Sequence, residues 1–374
     1  MANIMIVLDG LEDMCYKELG GKNPYDFGKG KNFLKVEAHS STGRLATTPQ
    51  GFEPDTQTCV LTLLGVQPRD IPGGRSYIEA LALGIPVDAQ DIVLRANFVK
   101  IDDKGRLELP TCACPPEVAA QLLEEVAAQE NCEITQVGSY KSLLRVKGAA
   151  KYLDAMQTHL PHQHGGADFK EVLPSGNELA EYLAFRSLEL LEKYRPYTVM
   201  NWAQSVKGDL PLFADLHHGI SGAMVSKTHS PMGVAVAMGM DCPDLPTCTG
   251  DTDTDLRAKV RCTLELAAKR DFVMLHVGGP DEATHRKDAV EKAEFIRKLD
   301  AELLSPILAA LRDGDHVMVT CDHMALCSTG GHTDQPVQYW LYEEGKSRSG
   351  ADAGTLPGTG AVELLCRRDQ EPVS

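Results

Sequence analysis

The chain has 374 residues, 43% hydrophobic and 24% charged, enough for one large core plus a smaller module. No run approaches the roughly 20 apolar residues of a membrane span, and Met1-Ala2-Asn3-Ile4 enters an apolar run without the basic start and cleavage site of an export signal. A formal charge of -16 argues against nucleic acid and anionic membranes as partners, so an anionic substrate needs cations placed locally. The 11 cysteines form an odd set without a CxxC pair, which fits reduced thiols in the cytoplasm.

Ile4-Met5-Ile6-Val7-Leu8 reads as a buried strand that runs directly into Asp9-Gly10. A polar segment carrying Asp13 follows, then a turn cluster, Gly20-Gly21-Lys22-Asn23-Pro24, and a short strand over Ser41 to Thr48. Between Gly51 and Gly65, the apolar Val60, Leu61, Leu63 and Leu64 predict a helix that ends at Gly65 and starts near Thr56. A hydroxyl there faces the positive end of the helix dipole, where a phosphoryl group is favoured. Local residues alone favour a plainer reading, in which Asp55 or Thr56 is simply the N-cap. Gly73 to Leu81 predicts a turn and a short helix with Arg75 at its mouth.

From Ile92 the pattern changes. Val93 to Val99 alternates as a strand, Pro116 to Ala128 is helical, and Glu133 to Val137 and Ser142 to Val146 read as two more strands. This predicts an inserted α+β module over 92–168, with core residues 1–91 and 169–374 on either side. Pro161 to Gly166 reads as the return linker, and His159, His162 and His164 as solvated histidines. An α/β rhythm then resumes: a helix over Asn177 to Lys193, strands at Tyr197 to Trp202 and Gly222 to Ser226, helices over Met232 to Met240 and Asp253 to Lys269.

Phe272-Val273-Met274-Leu275 is a third buried run. It leads to His276-Val277-Gly278-Gly279-Pro280-Asp281-Glu282-Ala283-Thr284-His285 and a long helical pattern from Glu282 towards Leu311, bent near Ser305-Pro306. Val317-Met318-Val319 likewise delivers Cys321-Asp322-His323, and His332 follows a short Gly-rich loop. A last strand, Val337 to Tyr342, precedes a Gly/Ser/Pro-rich stretch and a tail helix over Ala361 to Arg367. In an open α/β sheet the chemistry sits outside the carboxyl ends of the strands, so these three Asp-bearing ends are expected to converge. Asp281 and His285, four apart, share one helix face. Carboxylates and imidazoles without thiolate suit Mn, Zn, Fe or Mg. Three Asp and three His exceed one tetrahedral ion, and two ions clamping one oxyanion is an arrangement typical of phosphoryl chemistry.

Taken together, Asp9-Gly10, the Gly51 to Gly65 segment, Gly74 to Ala80, Arg95-Ala96-Asn97-Phe98, Asp281 to His285, Asp322-His323 and Gly331-His332-Thr333 resemble, in order, the archaeal-type cofactor-independent phosphoglycerate mutases. That family includes a subgroup proposed to act as homoserine kinases and belongs to the alkaline phosphatase superfamily. The resemblance implies an alkaline-phosphatase-like three-layer α/β core with a mostly parallel sheet and a small inserted cap that closes over the substrate to exclude water. It implies two divalent cations, Mn favoured over Zn, Mg or Fe. Asp9, Thr56, Asp322 and His323 match the positions of one metal and the nucleophile, and Asp281, His285 and His332 those of the second metal. Arg75, Arg95 and Asn97 match substrate-holding positions, although ordinary salt bridging explains the two arginines equally well. The implied activity interconverts 2- and 3-phosphoglycerate through a phosphothreonine, with Asp13 or a bound water as the acid for the leaving alkoxide. Asp55-Thr56-Gln57 stands where the family has Gly-Ser-Asp or Gly-Ser-Glu, Met232 where a lysine is common, Lys141-Ser142 where Arg-His is expected, and Pro161-His162-Gln163 where Pro-His-Asp is expected. These departures keep two alternatives open: a phosphotransferase or phosphatase acting on another small hydroxy acid, and a metal-binding pseudoenzyme.

Overall fold

A computed structural model describes residues 1–346 and 352–366. The chain divides into two compact units, one formed by Met1–Ile71 with Leu210–Ser374 and the other by Pro72–Asp209.

The larger unit is built on a seven-stranded sheet in the order Asp352–Pro357, Ser41–Ala46, Val337–Glu343, His316–Thr320, Asn3–Leu8, Phe272–Val277, Gly222–Val225. Only Val337–Glu343 runs against the others, pairing antiparallel with both neighbours. The four strands from His316–Thr320 to Gly222–Val225 are parallel, and their apolar side chains are wholly buried. Parallel strands covered on both faces read as continuous apolar runs rather than alternating ones, and for that reason these strands stand out in the sequence. Val7 pairs with both Thr320 and His276, so the chain leaves three adjacent strands at the same level.

The predicted helix from Glu282 to Leu311 is instead broken. A first piece, Gly279–His285, stops where Lys287 takes a positive φ of 60°, and Asp288 caps a new helix, Ala289–Leu299, by accepting from the amides of Val290 and Glu291. A π-helical turn, Asp300–Leu304, then leads into Ser305–Ala310. The turn has a use, since it aims the buried Asp300 carboxylate at Asn32 N (3.0 Å) and Phe33 N (2.8 Å), the N-terminus of the Lys31–His39 helix. The Gly-rich loop before His332 contains a hairpin, Met324–Leu326 with Gly331–Thr333, in which Ala325 faces His332. The tail helix spans Ala361–Cys366, and Arg367 lies outside the described residues.

The smaller unit carries the sheet Leu107–Leu109, Ile92–Ile101, Lys141–Val146, Cys132–Gln136, with Tyr197–Val206 also paired antiparallel to Ile92–Ile101. The predicted module ended at residue 168, whereas this unit extends from Pro72 to Asp209. The physical reason is that pairing: Tyr197–Val206 completes the sheet, and the Glu178–Tyr194 helix packs Ala180, Leu183 and Leu190 into the same core. Among the described residues no helix is long and apolar enough to cross a membrane.

Candidate metal centre

The first strand ends at Leu8, and Asp9 continues its course by donating its amide to Val277 O (3.0 Å). Gly10 must then turn away. Its φ is +62°, and an added Cβ would lie 2.8 Å from the Ala325 Cβ and 3.0 Å from Asp281 Oδ1, so only glycine fits beside the carboxylates. The Gly10 amide donates to Asp322 Oδ1 (3.1 Å), as does the amide of His323 (3.0 Å), which leaves Asp322 Oδ2 without a hydrogen bond.

Asp9, His276 and Asp322 bring ligand atoms within 4.8 Å of one another, as do Asp281, His323 and His332. His323 faces both groups: its Nε2 lies 3.4 Å from Asp9 Oδ1 and 3.4 Å from Asp322 Oδ2, and its ring stacks on His332 with centroids 3.8 Å apart. His285 Nε2 approaches Asp281 Oδ2 at 3.1 Å, and His332 Nε2 approaches Asp281 Oδ1 at 3.1 Å. Both of these histidines donate Nδ1–H to a backbone carbonyl, His285 to Gly330 (2.9 Å) and His332 to Pro54 (2.9 Å). In the neutral ring that bond fixes the tautomer and leaves Nε2 with its lone pair towards the carboxylates, the usual arrangement of metal-binding imidazoles.

The electrostatics call for cations. Burial, then the charges of Asp322 and Asp281, push the Asp9 carboxyl well above its ordinary range. Burial also lowers His276, to about 4, and lowers His323, so both are held as neutral imidazoles. Asp281 is opposed by burial too, yet the imidazoles of His285 and His332 beside it hold its carboxyl well below the usual range, and the Asp281 carboxylate raises His285 to about 9. Asp9 Oδ1, His276 Nε2, Asp281 Oδ1, Asp322 Oδ2, His323 Nε2 and His332 Nε2 are all buried without a hydrogen bond. Buried polar atoms are rarely left so, and a set made wholly of carboxylate oxygens and imidazole nitrogens fits divalent cations.

Thr56 is the first residue of the Thr56–Leu63 helix, whose cap is Asp55, with its carboxylate accepting from Thr58 N (3.0 Å). The threonine hydroxyl is therefore not spent on capping. Pro54, two residues before it, is the residue that His332 holds. Asp13 is committed elsewhere: its carboxylate pairs with the buried Lys292 Nζ (3.0 Å) and accepts from Tyr16 O–H (2.6 Å) and Cys327 N (3.2 Å), so it is not a free acid.

Arg75, Arg95 and Asn97 belong to the smaller unit. There Arg95 is buried, forks onto the Glu79 carboxylate and lies over the Trp202 ring (4.8 Å). Lys141 Nζ is 3.5 Å from the same carboxylate and is lowered to about 8 by burial and by Arg95. Despite burial, Arg95 and Lys141 lower Glu79 to about 2. Asn97 Oδ1 is buried without a partner.

His276, which joins Asp9 and Asp322 in one ligand group, stands out little in the sequence. Its only sign was an ionisable side chain closing a wholly apolar run, and it is 0% exposed.

The sequence model of the family described as 2,3-bisphosphoglycerate-independent phosphoglycerate mutase matches residues 38–196. The chain is 28% identical to the 2,3-bisphosphoglycerate-independent phosphoglycerate mutase 2 of Methanothermobacter thermautotrophicus, over 92% of this chain and 89% of that protein. It is 29% identical to the corresponding mutase of Ignicoccus hospitalis, over 91% and 88%. Among solved structures it superposes on the PH0037 protein of Pyrococcus horikoshii with a TM-score of 0.75 at 22% identity, covering 100% of this chain and 99% of that one. For the cofactor-independent phosphoglycerate mutase of Thermoplasma acidophilum the TM-score is 0.61 at 20% identity, covering 98% and 99%. The chain thus shares its fold with these two solved structures and is similar in sequence, over most of its length, to archaeal-type 2,3-bisphosphoglycerate-independent phosphoglycerate mutases.

Proposed function

We propose that this chain is a two-cation phosphoryl-transfer enzyme that interconverts 2-phosphoglycerate and 3-phosphoglycerate through a phosphothreonine on Thr56. The observation that carries the reading is the pair of ligand groups, Asp9 with Asp322 and Asp281 with His323 and His332, whose buried atoms lack partners. Asp9, Thr56, Asp322 and His323, whose Nε2 also faces Asp9 and Asp322, would hold one cation, and Asp281, His285 and His332 the other. Such cations, Mn favoured, neutralise charge on phosphoryl oxygens and lower the pKa of a bound hydroxyl. Thr56 Oγ1 gives up its proton to water and attacks phosphorus in line as the bond to the substrate oxygen breaks, and water returns a proton to that alkoxide. The phosphoryl group then passes from Thr56 to the other hydroxyl of the glycerate, restoring the threonine. Arg75, Arg95 and Asn97 are candidates to hold the substrate's acid group.

The test is mass spectrometry of Mn-loaded protein mixed with 3-phosphoglycerate, with 2-phosphoglycerate followed in the same tube. Product together with phosphate on Thr56 is expected. Phosphothreonine or free phosphate without 2-phosphoglycerate would turn the reading to a phosphotransferase or phosphatase on another small hydroxy acid. Lys141 favours that second reading, because it packs beside Arg95 on Glu79 at a position where the resemblance expects arginine.

Cation removal gives a separate expectation. A cation present at about 100 times its Kd stabilises the folded state by about 2.7 kcal/mol. Chelation is therefore expected to lower the melting temperature, and Mn to restore it. In Asp9→Asn the chelated protein should melt no lower than the chelated parent, since the carboxylate crowding is gone, while Mn should restore far less. Equal Mn stabilisation of both proteins would remove Asp9 from the site.

A further inference from the structure

Three observations single out His276. Its ring is 0% exposed at the end of the Phe272–Val277 strand, and Nε2 has no hydrogen bond. Nε2 stands 3.3 Å from Asp9 Oδ2. A charge-assisted N–H···O bond is about 2.7–2.9 Å long, so this spacing is too great for one. Two donors each about 2.1 Å from a tetrahedral ion lie about 3.4 Å apart, which matches. The distances from His323 Nε2 to Asp9 and Asp322 are of the same size.

The far side of the ring is arranged to hold it. Nδ1 faces Ser226 Oγ at 3.4 Å, and that hydroxyl is directed at Thr228 O (3.5 Å) while accepting from Thr228 N (3.1 Å). With the hydroxyl hydrogen turned to Thr228, the imidazole is the donor at Nδ1, and Nε2 keeps its lone pair. The backbone is pinned as well, by the buried Lys259, whose Nζ donates to the His276 carbonyl at 3.2 Å.

We infer that His276 Nε2 is a direct ligand of the cation held by Asp9 and Asp322, with Ser226 as the residue that orients it. The inference rests on the two-cation reading. It gives that cation two imidazoles, His276 and His323, in place of one.

The test uses the full chain, stripped of metal and titrated with Co2+, reading bound cobalt by dialysis and its coordination by the visible d–d absorption. The parent is expected to bind cobalt at both groups. In His276→Ala, one of the two cobalt ions should weaken by more than about 100-fold, and its d–d bands should shift as a nitrogen donor is replaced by water. Ser226→Ala should weaken the same ion by about 10- to 100-fold with the bands kept, as expected for an orienting partner. In His276→Gly, added imidazole should restore the parent spectrum. If His276→Ala does not fold by circular dichroism, His276→Asn carries the same reading, because its amide supplies oxygen in place of nitrogen. Unchanged affinity and bands in a folded variant would overturn the inference, and so would a loss of affinity with bands unchanged. A parent that binds no cobalt would instead sink the two-cation reading itself.

Discussion

Thr56→Ala is expected to lower phosphoryl transfer by at least about 10^4-fold and to abolish phosphate capture by the protein, with the fold intact. The fold should survive because the cap of the Thr56–Leu63 helix is the Asp55 carboxylate, not the Thr56 hydroxyl, and alanine favours a helix more than threonine does. His332 would still donate to Pro54 O, so Asp281, His285 and His332 keep their arrangement. Thr56→Ser is the informative companion. It keeps the oxygen and removes only the methyl group, so transfer should return to within about tenfold of the parent if a hydroxyl nucleophile is all the chemistry needs. The measurement is single-turnover transfer with mass-spectrometric detection of the phosphoenzyme. Substantial turnover by Thr56→Ala would mean that phosphate passes to water or acceptor without a protein intermediate, and the phosphothreonine route would be wrong.

The positions proposed as ligands were legible where physics is local. Ile4 to Leu8, Phe272 to Leu275 and Val317 to Val319 are unbroken apolar runs because the strands are covered on both faces, and the ionisable residues that follow each run, Asp9 at once and Asp281 and Asp322 a few residues on, mark its carboxyl end. An N-cap at Asp55 or Thr56 was also visible, since a cap is a contact between near neighbours, and the structure gives it to Asp55. What depends on distant partners was not. The Lys31–His39 helix receives its N-terminal acceptor from Asp300, 268 residues along the chain from Asn32, so its start carries no cap of its own. Tyr197–Val206 reads as a strand, but nothing in its sequence says that it pairs with Ile92–Ile101 and not with the larger sheet. His276 was hidden for a third reason. Within Phe-Val-Met-Leu-His-Val it occupies an ordinary strand position, and only the neighbouring Asp9 gives the ring a task. The break at Asp288 has a local sign, because an aspartate before Ala289-Val290-Glu291 is a cap signal inside an otherwise continuous helical pattern.

Lys292→Met is expected to cost about 3–5 kcal/mol of stability, although Lys292 carries no part of the proposed chemistry. The side chain is 0% exposed in the Ala289–Leu299 helix. Its ammonium donates to Asp13 Oδ2 (3.0 Å) and to the Ala325 carbonyl (2.9 Å), and so joins the loop after the first strand to the hairpin that carries His332. A surface pair of this length contributes less than about 1 kcal/mol, because water replaces either partner. Here water is excluded, and loss of the ammonium leaves the Asp13 carboxylate buried with only Tyr16 and two backbone amides, Met14 and Cys327, to satisfy it. Asp13→Leu in the Lys292→Met background should recover most of the loss, since a neutral apolar pair has no charge to leave stranded. Urea unfolding followed by Trp340 fluorescence in a Trp202→Phe background reads the larger unit, because these are the two tryptophans of the chain and they lie in different units. A cost below about 1 kcal/mol for the single variant would show that the pair behaves as a solvated one. The expected cost would instead tie the stability of the hairpin, and with it the placement of His332 beside Asp281, to a charge pair outside the ligand set.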